Sequence, residues 1–159
     1  MKLYIKQKVF SFRDRFTVKD ERGIDVFQIT GEIFSFGKVL HICDMNEREL
    51  LTIRQKLFTF MPRFEIERDG NVIAEIAKEF TFFKPSYIIN GTPFTVEGDF
   101  FDHDYEIRRD GTLVAQINKE WLSWGDSFAV NIYNEADVDA LLLLAVSIVI
   151  DCVMDANNN

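Results

Sequence analysis

Apolar and polar side chains alternate along most of this chain, and the alternation stops only near the C-terminus. In MKLYIKQKVF, Leu3, Ile5 and Val9 face one way while Lys2, Tyr4, Lys6 and Lys8 face the other, which is strand spacing. Phe64 and Ile66 alternate with Glu65 and Glu67, Asp69-Gly70 supplies a hairpin turn, and Val72, Ala74 and Ile76 alternate again. Glycine suits such a turn because it tolerates positive φ. Further turn signals stand at Asp20 to Gly23, Asn46-Glu47, Asn90-Gly91, Asp110-Gly111 and Glu97-Gly98-Asp99. About a dozen short strands fit between Leu3 and Tyr133.

The pattern repeats. Residues 64–89 align without gaps to residues 105–130, with identities at Arg68/Arg109, Asp69/Asp110, Gly70/Gly111, Ala74/Ala115 and Lys78-Glu79/Lys119-Glu120. Worn copies lie at 23–37 and 53–62. After each Lys-Glu pair comes an aromatic stretch, Phe80 to Phe83 or Trp121 to Trp124, which reads as a third strand set off by a bend. Its rings read as core.

Ala140 to Ile150 is ALLLLAVSIVI, with Ser147 its one polar residue. A helix that is apolar all round must be surrounded by protein or lipid. The uncharged stretch between Asp139 and Asp151 is 11 residues, against about 20 for a membrane span. A buried helix over about Asp137 to Met154, capped by Asn134, is the expectation. The economical architecture is a closed antiparallel barrel of about 12 strands with this helix filling it. It makes a single domain over 1–155 with a frayed tail at 156–159.

The net charge of −8 on 159 residues argues against nucleic acid, because phosphate contacts need clustered Lys and Arg. Residues 1–22 nonetheless carry an excess of cations. Lys2, Lys6, Lys8, Arg13 and Arg15 form the candidate clamp for a phosphate head group. Its competitor is an edge strand guarded by lysines. Asp99, Asp102, Asp104 and Glu106 could hold a hard cation, but they lack the spacing of a calcium loop and read as a solvated acidic face. Cys43 and Cys152 have no zinc-type spacing and read as reduced thiols in a cytoplasmic protein. The alternating start MKLYIKQKVF reads as a strand, with no signal peptide expected. His41 and His103 are the only histidines, and no catalytic phrase surrounds them. The expectation is no enzymatic activity, no cofactor, no metal, no transmembrane segment and a monomer.

DMNERELLTIRQKLFTFMPRFEI, KEFTFFKP, VEGDFFDHDYEI and VAQINKEWLSWGDSFAV resemble the bacterial branch of the LURP-one-related family, within the tubby C-terminal-domain-like superfamily that also holds the phospholipid scramblases. The resemblance runs from Leu3 to Asp155. It implies a 12-stranded barrel around a central hydrophobic helix and no catalytic residues. Plant relatives are linked to defence, tubby proteins bind phosphoinositide head groups and scramblases act at membranes, but no tubby lipid-binding lysine matches a position here. The functional expectation is a binding or scaffold protein, with peripheral phosphoinositide or phospholipid head-group binding as its specific version. The alternative is a small-ligand carrier or an enzyme with a pocket at a barrel mouth.

Overall fold

The computed structural model describes residues 1–6, 15–34, 37–122 and 125–157. Twelve strands precede one helix. They are β1 (Lys2–Lys6), β2 (Phe16–Lys19), β3 (Asp25–Phe34), β4 (Gly37–Asp44), β5 (Glu49–Gln55), β6 (Arg63–Arg68), β7 (Asn71–Lys78), β8 (Tyr87–Asn90), β9 (Phe94–Asp99), β10 (Asp104–Arg109), β11 (Thr112–Leu122) and β12 (Gly125–Ile132), followed by α1 (Ala140–Asn157).

All twelve form one antiparallel sheet in the order β8-β7-β6-β5-β4-β3-β2-β1-β12-β11-β10-β9. β1 closes the circuit by pairing with β12, Leu3 opposite Val130 and Ile5 opposite Phe128. β8 and β9 lie side by side without a hydrogen-bonded ladder, so the barrel is nearly closed and its seam falls between them. The basic N-terminal strand is therefore interior to the sheet. The edge-strand reading of β1 is corrected: pairing with β2 on one side and β12 on the other removes its edges.

The repeat units superpose on the elements as expected, β6–β7 matching β10–β11. Asp69 and Gly70 have φ of 51° and 78°, and Asp110 and Gly111 have 49° and 81°. Both turns need two successive left-handed residues, which Asp-Gly supplies at low cost.

Helix α1 fills the barrel. Leu143 through Val146 are fully buried, as are Val149 and Ile150, and each leucine, valine and isoleucine among them contributes roughly 1.5–3 kcal/mol. Ser147 donates its hydroxyl to the Leu143 carbonyl at 2.9 Å, which satisfies the polar residue within the helix. The cap is Asp139, not Asn134. The Asp139 carboxylate accepts the Leu142 amide at 3.1 Å, while Asn134 adopts φ 53° in a preceding turn. The helix therefore begins later than the acidic run Glu135 to Asp139 suggests.

Two further expectations are corrected. Glu97-Gly98-Asp99 is not a turn but the end of β9, and the chain reverses over Phe100 to His103. Phe80 to Phe83 form no strand, and Trp121 and Leu122 continue β11 without a bend. Trp124 lies outside the described residues.

Candidate functional site

Every neighbouring pair in the sheet is antiparallel, so all odd-numbered strands run the same way. The odd-to-even connections therefore gather at one end of the barrel and the even-to-odd turns at the other. The two ends differ in chemistry. The even-to-odd turns are Asp20 to Gly23, Asp44 to Arg48, Asp69-Gly70, Asn90-Gly91 and Asp110-Gly111, all short and polar.

The opposite end carries rings. Phe58 and Phe60 project from the β5–β6 connection, and Phe80, Phe82 and Phe83 from β7–β8. Phe101 projects from β9–β10 and Trp121 from the end of β11. Phe83 is 97% exposed and Trp121 79%, so the reading of these aromatics as core is overturned. The barrel interior is already filled by α1, by inward aliphatic residues and by the rings of Phe64, Phe94, Phe100, Tyr105 and Phe128, and the exposed rings stand beyond the strand ends. Phe60 packs against Phe80 at 5.7 Å and Phe80 against Phe82 at 5.2 Å between centroids. Adjacent loops thus share one apolar rim, and exposed patches of this kind mark interaction sites.

Sequence carried a signal for this rim. Rings spaced by Ser or Thr recur as Phe58-Thr59-Phe60 and Phe80-Thr81-Phe82, each between an odd and an even strand. Phe10-Ser11-Phe12 and Phe34-Ser35-Phe36 repeat the phrase between β1 and β2 and between β3 and β4 in the sequence. Only the topology shows that the Phe58 and Phe80 phrases share an end.

Cations stand among the rings. Lys6, Lys84 and Lys119 are exposed and form no ion pair among the described residues. The β9–β10 connection is the acidic exception. There Asp99 accepts the Phe101 and Asp102 amides at 3.1 and 3.3 Å, and Asp104 accepts from Asn118 at 3.2 Å. Glu106 pairs with Arg108 at 2.7 Å. These carboxylates serve turns and neighbours, and no cluster of metal-ligating side chains occurs among the described residues.

Among the described members of the candidate head-group clamp, Lys2 and Arg15 are held by separate carboxylates. Lys2 pairs with Glu120, which raises its pKa, and lies over the Tyr4 ring at 5.1 Å. Arg15 pairs with Glu47 at 2.8 Å. Lys6 is exposed at the aromatic end, with Lys2 at the opposite end of the same strand. Lys8 and Arg13 lie outside the described residues.

Groups with acid–base potential are committed elsewhere. His103 Nε2 meets Asp151 Oδ1 at 2.7 Å, with both side chains 4% exposed, and the imidazole stacks on Phe128 at 4.9 Å. His41 sits between Glu49 at 2.8 Å and Glu32 at 3.3 Å. Burial pushes the Cys43 thiol up, as do Glu49 and Asp44, the reverse of an activated thiol. Burial also holds the Tyr87 and Tyr105 hydroxyls well above the ordinary phenol range.

A family model described as LURP-one-related matches residues 1–151. The chain is 36% identical over 154 residues to the uncharacterised protein YxjI of Bacillus subtilis strain 168, covering 97% of this chain and 94% of that protein. Among solved structures, the X-ray structure of a protein from Arabidopsis thaliana superposes with a TM-score of 0.67 at 18% identity, over 99% of this chain and 91% of the other. That likeness speaks for the fold, and the family match and the bacterial relative speak for descent. With both spanning nearly its whole length, this chain belongs to the LURP-one-related family.

Proposed function

We propose that the protein is a non-enzymatic binding protein of the cell interior that docks on anionic phospholipid surfaces with the aromatic end of its barrel. The observation that carries this reading is the gathering of Phe58, Phe60, Phe82, Phe83 and Trp121 at that one end. Aromatic rings beside free lysines suit the boundary between head groups and acyl chains. An anionic surface attracts each nearby lysine by about 1 kcal/mol, and partial burial of several rings adds an apolar term. Asp20, Asp44, Glu47, Asp69 and Asp110 of the even-to-odd turns would stand away from the surface, while Asp99, Asp102 and Asp104 of the β9–β10 connection stand at the docking end and subtract from the lysine attraction. Among the described residues no helix is long and apolar enough to cross a membrane, so the docking is peripheral. The non-enzymatic reading is supported by the burial of the His103–Asp151 pair, each side chain 4% exposed, which leaves that imidazole without open approach. The Cys43 thiol, which forms no disulfide, suits a reducing compartment.

Co-sedimentation with vesicles tests the reading. Wild-type protein should pellet with vesicles containing phosphatidylglycerol or phosphoinositide more than with neutral phosphatidylcholine, and less as salt rises. Phe82→Asp combined with Phe83→Asp should abolish pelleting without lowering Tm, since both rings are exposed. Undiminished pelleting of that variant, or self-association through the rings with no vesicle binding, contradicts the proposal.

A further inference from the structure

At the seam of the barrel, β8 and β9 are joined by the Asn90 to Pro93 turn but never pair. The seam is tied at the polar end and lacks a ladder along its length. At its aromatic end lies a cleft of about 450 Å³, lined by Lys84, Pro85, Gly98, Asp99, Phe100 and Phe101. That size falls within the range of small-molecule sites, roughly 300–1,000 Å³.

The lining is amphiphilic in an ordered way. Phe100 is buried and forms the floor, packed at 4.9 Å on Tyr87 and 5.0 Å on Tyr105. Tyr87 in turn reaches Met154 of α1, so the floor rests on the central helix. Lys84 at the mouth is exposed, and its ammonium has no partner among the described residues. Asp99, the opposing charge, is already engaged by two backbone amides. The exposed Phe82 and Phe83 adjoin Lys84 in the same loop.

We propose that this seam cleft binds one amphiphile at a time, with its alkyl chain against Phe100 and Phe101 and its anionic head on Lys84. This rests on the lipid-surface reading and deepens it: the end that docks also takes a single chain into the barrel wall. The shared chemistry is a carboxylate or phosphate on one alkyl chain, which a free fatty acid or a single-chain phospholipid both offer.

Titration calorimetry of the full chain, below micelle-forming concentrations, separates the possibilities. The probes are dodecanoate, dodecanoyl-lysophosphatidylglycerol and, as a charge-reversed control, dodecyltrimethylammonium. At least one anionic probe should bind one-to-one and the cationic probe at least tenfold more weakly; the tighter anionic probe identifies the source. Lys84→Glu should weaken the anionic probe tenfold or more, Lys84→Arg should retain it, and Arg22→Glu, in a turn at the polar end, should leave it unchanged. No saturable one-to-one binding of either anionic probe, or equal affinity in Lys84→Glu, overturns the cleft proposal. Vesicle docking without such uptake leaves the surface reading standing and the cleft refuted. Uptake without vesicle docking does the reverse.

Discussion

Arg68, leaving β6, holds the Asp139 carboxylate at the start of α1 through two hydrogen bonds of 2.7 and 3.0 Å. Its repeat counterpart Arg109 donates to the Asp137 carbonyl at 2.6 Å. Equivalent residues of the two repeats thus tie down the same segment, where the chain leaves the barrel wall and turns inward. Asp139 also caps the helix, so one carboxylate sets both the position and the first turn of the central element.

Burial alone would raise the Asp139 carboxyl, but the Arg68 guanidinium and the Leu142 amide outweigh it and hold the group below the usual carboxylate range. The unfolded chain then takes up the proton first. The contribution is complete above the unfolded value of about 3.9 and is lost as pH falls through the depressed folded value. Asp139→Ala removes the cap and the pair together and should cost about 1–3 kcal/mol at neutral pH. Urea melts at pH 7 and at acid pH should show this gap narrowing on acidification. A gap independent of pH would separate the stability of the helix entry from the charge on Asp139.

Gly98 should be the least replaceable glycine. A Cβ there would lie 2.5 Å from the Asp104 carbonyl oxygen and 2.6 Å from Tyr105 Cα, at φ 137°. Backbone cannot swing aside as a side chain can. Gly98→Ala should cost at least about 2 kcal/mol, from overpacking and the unfavourable φ together. Gly70→Ala meets nothing within 4 Å at φ 78° and should cost only the left-handed penalty of about 1–2 kcal/mol. Thermal melts of the two variants should rank in that order.

The pair of His103 and Asp151 anchors the aromatic end to α1. His103→Leu leaves the Asp151 carboxylate buried without its imidazole and should destabilise by about 3–5 kcal/mol. The double variant His103→Leu with Asp151→Leu should recover much of the loss, because both members of the buried pair are then replaced by apolar side chains. A double variant as unstable as the single one would show that the pair is needed for packing itself.

Leu143 is fully buried in α1. Leu143→Asp should cost more than about 4 kcal/mol and prevent folding. A well-folded variant of wild-type Tm would be incompatible with a helix inside the barrel.

The fold was legible because burial alternates so regularly. Leu3, Ile5, Phe64, Ile66, Tyr105 and Ile107 are inward residues that the period of two identifies, and the length of the apolar run from Ala140 fixes an interior helix. The helix cap was not legible, since Asn134 and Asp139 are both competent caps and only Arg68, distant in sequence, selects between them. Phe80 to Phe83 and Trp121 were misplaced for a different reason. A ring-rich phrase suits a core as well as a loop tip, and the choice depends on whether the interior is already full. The seam cleft depends on two strands failing to pair, which no local pattern encodes.

Both tryptophans of the chain, Trp121 and Trp124, belong to the phrase that follows Lys119-Glu120, and Trp121 is 79% exposed at the aromatic end. The Trp121 part of the intrinsic fluorescence therefore reports on the proposed docking surface, and Trp124→Phe isolates it. With vesicles containing phosphatidylglycerol, emission should shift to the blue and be quenched by lipids brominated near the head group, while neutral vesicles leave it unchanged. Vesicle binding with unshifted and unquenched emission, or no binding even at low salt, would contradict docking through the aromatic end.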